Sequence, residues 1–149
     1  MLRHGFWRVA ALLPLLTLVF TGCGLSPRAP EKLTPELSAQ LEQRVRDRWQ
    51  TLSDREFDKA WEFSTPNFKE VFPKHLFVRG FSYGVEWELT GVEILNYDGR
   101  AAVASVAARV MSKPVKPTSE ASKALGAIPT TINERWIFID GQWWYSSRN

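Results

Sequence analysis

Along the first half of the folded region apolar residues recur with helical spacing, and along the second half with strand spacing. In "LTPELSAQLEQRVRDRWQTL" the positions Leu37, Leu41, Val45, Trp49 and Leu52 stand three or four apart. They lay one apolar stripe on a helix of about four turns. Thr34 is placed as its N-cap and Pro35 as its first helical residue. Ser53-Asp54-Arg55-Glu56 has the spacing of a capping box, which predicts a second short helix with Phe57, Ala60 and Trp61 on its inner side. Thr65-Pro66 opens a third, carrying Phe68, Val71 and Phe72 until Pro73 ends it.

From Val85 the period changes to two. "VEWELTGVEILNYDGRAAVASVAARVM" holds Asp98-Gly99 between two extended runs, the signal of a two-residue hairpin. Gly91 interrupts the alternation where a bulge would bend a long strand. "TTINERWIFIDGQWWYSS" repeats the device around Asp140-Gly141. A tight turn there pairs Phe138 with Trp143, Trp136 with Tyr145 and Glu134 with Ser147 on one face. Arg135, Ile137, Ile139 and Trp144 then fall on the other. Between the hairpins, "SKPVKPTSEASKALGAIP" has three prolines and four Ser or Thr residues and reads as a loop, a rim or a lid.

A third apolar pattern lies at the N-terminus. Arg3, His4 and Arg8 precede twelve uncharged residues from Val9 to Phe20. As a helix this run reaches about 18 Å against roughly 30 Å of hydrocarbon, so it reads as an export signal and not as a membrane span. The chain's one cysteine follows at once in Phe20-Thr21-Gly22-Cys23, which resembles the lipobox of bacterial lipoproteins, with Phe20 where Leu is usual. The resemblance implies cleavage before Cys23 and acylation of that cysteine, which accounts for a thiol without a disulfide partner. It further implies that Gly24, in place of Asp, sends the protein to the outer membrane, facing the periplasm. More than one acyl chain makes the anchor durable, since each buried CH2 adds about 0.8 kcal/mol.

Charge follows from that division. The whole chain has 19 basic and 16 acidic residues, a balance of +3. Removal of residues 1–22 takes two basic residues and no acidic ones, leaving +1. The basic character therefore belongs largely to the leader, and nucleic acid is not an expected partner. Arg44, Arg46 and Arg48 alternate with Glu42 and Asp47 and read as a solvated helix face. Residues 24–32, "GLSPRAPEK", have two prolines and no periodicity, so residues 23–32 form the acylated cysteine and its tether. Nine residues reach at most about 30 Å, which keeps the domain near the bilayer. Residues 33–149 then suit one domain with one core.

Helices followed by a bent antiparallel sheet make an α+β pattern. "RWQTLSDREFDKAWEFSTPNF" and the closing "ERWIFIDGQWWY" resemble the nuclear transport factor 2-like superfamily, also called ketosteroid-isomerase-like or cystatin-like. The resemblance spans roughly residues 37–147. It implies N-terminal helices packed on a curved antiparallel sheet that forms a cone, and it implies no one function, since this fold carries many.

Candidate chemistry is sparse. Asp98 and Asp140 sit in hairpin turns and read as turn formers. His75 has no acidic neighbour in sequence to orient it and reads as a surface residue. No His pair or clustered carboxylate has metal-ligand spacing, no elbow motif presents a nucleophile, and nothing calls for a cofactor. What remains is a set of charged residues inside strands. Glu88 and Arg109 fall opposite one another if the first hairpin keeps register from Asp98-Gly99, and a bulge at Gly91 would shift that by one. They are either an exposed cross-strand pair or, with Glu134 and Tyr145, the lining of a polar pocket. In the second case a carboxyl among Trp136, Phe138 and Trp143 would have a raised pKa and could serve as a general acid or base.

Trp49, Trp61, Trp136 and Trp143 read as core residues. Ile137, Ile139 and Trp144 make the other sheet face apolar and suit a homodimer or an envelope-protein partner. Three functions stay open at this point: a non-catalytic, lipid-anchored binding domain, a cone-pocket isomerase or hydratase using Glu134 or Glu88 with Tyr145, and an accessory subunit of an envelope complex.

Overall fold

In the computed structural model, residues 30–117 and 119–147 are described. The leader, Cys23 and Gly24 lie outside them. Helix α1 (Pro35–Ser53) starts where the sequence places it, with the Thr34 side chain accepting a hydrogen bond from the Leu37 N–H and Pro35 in the first turn. Its stripe buries Leu41, Val45, Trp49 and Leu52. The capping-box reading of residues 53–56 is corrected. Ser53 ends α1 and its hydroxyl donates to Trp49 O. Arg55 then takes a left-handed conformation, φ 61°. The N–H groups of Arg55 and Glu56 reach back to Leu52 O and Thr51 O, a Schellman close in which the backbone terminates the helix and no side-chain cap is needed.

Helices α2 (Phe57–Trp61) and α3 (Pro66–Val71) follow, the latter capped by Thr65. Val71, the last residue of α3, is 80 % exposed. Pro73 does end α3, but it also serves as N-cap of a further helix, α4 (Lys74–Arg79). Proline has no N–H to lose and is tolerated where a helix begins.

The sheet has strands β1 (Val85–Asp98), β2 (Val103–Pro114), β3 (Ile128–Ile139) and β4 (Gln142–Ser146) in the order β1-β2-β3-β4, all antiparallel. The stretch between β2 and β3 is not wholly a loop, for it contains a short helix, α5 (Glu120–Leu125). The second hairpin has the expected two-residue turn. Asp140 and Gly141 both have positive φ, 50° and 82°, and Phe138 faces Trp143 and Trp136 faces Tyr145. Glu134 and Ser147 do not form a pair, because the ladder ends at Arg135 and Ser146.

The first hairpin differs from its prediction. Asp98 pairs with Val103, so residues 99–102 form a four-residue loop. The Asp98 side chain accepts from the N–H groups of Arg100 and Ala101, and Ala102 takes the positive φ of 55°. This side-chain turn at Asp98 moves the reversal beyond Gly99. Two register shifts, between Leu89 and Gly91 and between Ile94 and Asn96, break the ladder further. Each changes which parity of residue faces inward: Trp87 and Leu89, then Val92 and Ile94, then Tyr97 pack on the core.

Helix α1 packs on the sheet's inner face. On β2 that face is Ala104, Val106, Ala108 and Val110, all buried; the two alanines leave room for the large Trp136 and Trp143, which are buried with them. The outer edge of β4 is covered, since Phe63 O accepts from Tyr145 N–H and Thr65 N–H donates to Tyr145 O. At the N-terminal end of the described residues, Pro30 and Glu31 lie against the first hairpin. Tyr97 Oη donates to Pro30 O at 2.8 Å, and the Glu31 backbone lies so close over Gly99 that any Cβ there would overlap it.

Candidate functional site

Between α1 and the sheet lies a cavity of about 200 Å³ lined by Arg48, Trp49, Leu52, Phe81, Trp87, Ile132, Glu134 and Tyr145. Each wall has a local cause. Trp49 and Leu52 come from the α1 stripe, and Ile132 and Glu134 from alternate positions of β3. Phe81 is held in an aromatic cluster, stacked on Phe57 with ring centroids 4.7 Å apart and edge-on to Phe77 and Trp87.

The polar centre is an ion pair. Arg48 Nη1 donates to Glu134 Oε1 at 2.7 Å, and Trp136 Nε1 donates to Glu134 Oε2 at 2.9 Å. Both charged side chains are nearly inaccessible, 6 % and 1 %. Arg48 also lies over Tyr145, its guanidinium carbon 3.6 Å from the ring centroid. The cation is thus bound by a carboxylate on one side and a π face on the other. Both carboxylate oxygens of Glu134 are engaged. Arg48 Nε and Trp49 Nε1, by contrast, are buried without a hydrogen-bond partner among the described residues.

Of the residues singled out from sequence, the structure brings Glu134 and Tyr145 together in this cavity and leaves the other two outside. Glu88 is exposed and opposite Met111. Arg109 is opposite Gly91, and its guanidinium binds Glu93 at 2.9 Å on the exposed face. The pairing of Glu88 with Arg109 fails because the loop is four residues long and the strand is shifted between Leu89 and Gly91. Gly91 lies directly beneath the Arg109 side chain. The residue missed was Arg48, read as part of a solvated face. It stands seven after Leu41, three after Val45 and four before Leu52, squarely on the buried stripe, and that spacing was the signal.

The opposite sheet face carries Ile137, Ile139 and Trp144, each half-buried. Cations cover part of Trp144: Lys69 Nζ lies 4.9 Å and the Arg44 guanidinium 5.7 Å from its ring. Arg44 also sits 4.4 Å over Phe63 and donates to Trp143 O. Burial pushes the Arg44 guanidinium below its ordinary pKa, with Asp47 opposing. Trp61 is likewise half-buried, beneath Lys69 and Lys74. Lys74 donates to Glu62 at 2.5 Å, and that hydrogen bond foremost holds the Glu62 carboxyl below its ordinary value, against some desolvation. His75 is exposed on α4. Among the described residues no group of three His, Cys, Asp or Glu stands close enough to hold a metal, and no helix is long and apolar enough to cross a membrane.

No protein-family model matches the chain, and no curated protein matches it. Among solved structures, it is similar to a SEC-C motif containing protein from Rhodopseudomonas palustris. The two are 16 % identical over 74 % of this chain and 77 % of the other, with a TM-score of 0.45. It is also similar to Aln2 from a Streptomyces species, at 13 % identity over 77 % and 90 % of the two chains and a TM-score of 0.46.

Proposed function

We propose that this chain is an outer-membrane lipoprotein, acylated at Cys23, whose one domain of nuclear transport factor 2-like form binds a small ligand or a protein partner in the periplasm without catalysis. The observation that carries the non-catalytic part is the closure of Glu134. A general base must reach a substrate proton, and this carboxylate is 1 % accessible and already holds Arg48 on one oxygen and Trp136 on the other. The bent first hairpin, with α1 across the inner face, supports the cone-shaped reading of the fold. The lipid anchor rests on the lipobox at residues 20–23.

Intact mass of the membrane-extracted protein tests the anchor. It should lack Met1 to Gly22 and carry acyl mass on Cys23, and Cys23→Ser should leave the membrane fraction. A leader-free chain with an unmodified Cys23 would sink the proposal.

One observation favours a second reading, a cone-pocket isomerase or hydratase. Glu134 and Tyr145 do share a cavity with aromatic walls. Glu134→Gln separates the two, because the amide retains an acceptor for Arg48 but cannot take a proton. If a reaction found with the native protein vanishes in this variant while the fold is kept, catalysis through Glu134 replaces the non-catalytic reading. The third reading, an accessory subunit docking through Ile137, Ile139 and Trp144, predicts a specific envelope protein co-purifying with the acylated chain and lost on Trp144→Glu.

A further inference from the structure

Where the tether joins the domain is fixed by the fold. Tyr97 Oη holds Pro30 O, and the Glu31 backbone is seated on Gly99. The chain therefore leaves the domain at the sheet end that carries the 99–102 loop and the 140–141 turn. A cleft there is lined by Glu31, Lys32, Asp98, Arg100 and Asp140, among others. The opposite end carries Tyr83 and the aromatic cluster around Phe57 and Phe81. β1, with 14 residues, runs between the two ends.

We infer that the 99–102 and 140–141 end is the face turned to the lipid bilayer, with the Tyr83 end directed away from it. This rests on the reading that Cys23 is acylated. Seven peptide units separate Cys23 from Pro30 and reach at most about 25 Å whatever their conformation. Inverting the domain requires that its attachment point stand a body length above the lipid. A strand of this length gives roughly 40 Å for that body, even allowing for its bulges. The tether is too short for inversion. The cleft's three acidic and two basic side chains make no basic patch, so tether length sets the orientation, not attraction to anionic lipid.

The test uses the full acylated protein reconstituted in phosphatidylcholine vesicles containing a headgroup spin label as quencher. Arg100→Cys and Tyr83→Cys each receive a fluorophore, the Cys23 thiol being blocked by its lipid. The label at 100 should lose most of its emission and the label at 83 little. Equal losses, or a greater loss at 83, on a chain whose mass shows acyl groups on Cys23 would overturn the orientation and leave the lipoprotein reading standing. A chain whose mass shows no acyl group would overturn both.

Discussion

Arg48 and Glu134 carry the sharpest energetic consequences at the scale of single residues. Two charges out of water are tolerable only as a pair. Arg48→Ala should cost about 3–5 kcal/mol in urea unfolding, because it leaves a buried carboxylate with one neutral donor. The double variant Arg48→Met, Glu134→Leu should recover part of that loss, since apolar groups of similar volume leave no unpaired charge and only the Trp136 indole N–H loses its acceptor. A double variant as unstable as the single one would show that the cost lies in packing on Tyr145. The Glu62 carboxyl gives a pH test. Its pKa is depressed in the folded protein, foremost by Lys74, so its contribution to stability is present above the unfolded carboxyl value and lost as pH falls through the folded one. Lys74→Met should move the Glu62 titration upward by NMR and make stability less sensitive to acid. Sequence alone showed the two buried aromatics, Trp136 and Trp143, through their strand parity. It hid Arg48 among alternating charges, where only the spacing from Leu41, Val45 and Leu52 marks the position as buried and nothing local shows its partner Glu134.

Elements are joined by backbone geometry that composition records unevenly. The Asp140-Gly141 turn was legible because two positive φ angles in succession demand residues of this kind. The same dipeptide at Asp98-Gly99 meant something else. There Asp98 folds its side chain over the loop and Gly99 serves to admit the Glu31 backbone, a contact from a distant part of the chain that no local pattern displays. The end of α1 offers a prediction at this scale. Arg55 holds a left-handed conformation that glycine adopts without strain. Arg55→Gly should raise stability by about 0.5–1 kcal/mol, allowing for loss of the half-exposed Arg55–Glu86 pair, by the midpoint of denaturant unfolding. Lower stability would mean that the pair at 3.2 Å matters more than its exposure suggests.

For the whole molecule, the α+β order was readable from the change of period near Val85, whereas the bend of the sheet was only half readable. One bulge had a glycine to mark it, and the one near Leu95 had none. Tyr97 joins the scales. Burial, and secondarily Asp98, raises its phenol above the ordinary value, so the stability it contributes is complete below the unfolded phenol value and is lost as pH rises through the folded one. Ionised, it can no longer donate to Pro30 O. Amide signals of residues 31 and 32 should shift at a midpoint above that of a free phenol, and in Tyr97→Phe they should be displaced already at neutral pH.

On the reading that Cys23 is acylated, the covering of β4 by residues 63–65 has a consequence for a protein held in two dimensions. Molecules confined to a surface meet one another far more often than in free solution, and an open strand edge invites them to polymerise. With β4 closed, β1 is the remaining edge of this sheet. It is broken twice by register shifts and carries Glu86, Glu88 and Glu93, so neighbours meeting edge to edge would align like charges along a ladder that cannot run straight. Crowding can then raise the number of copies without turning them into a fibre.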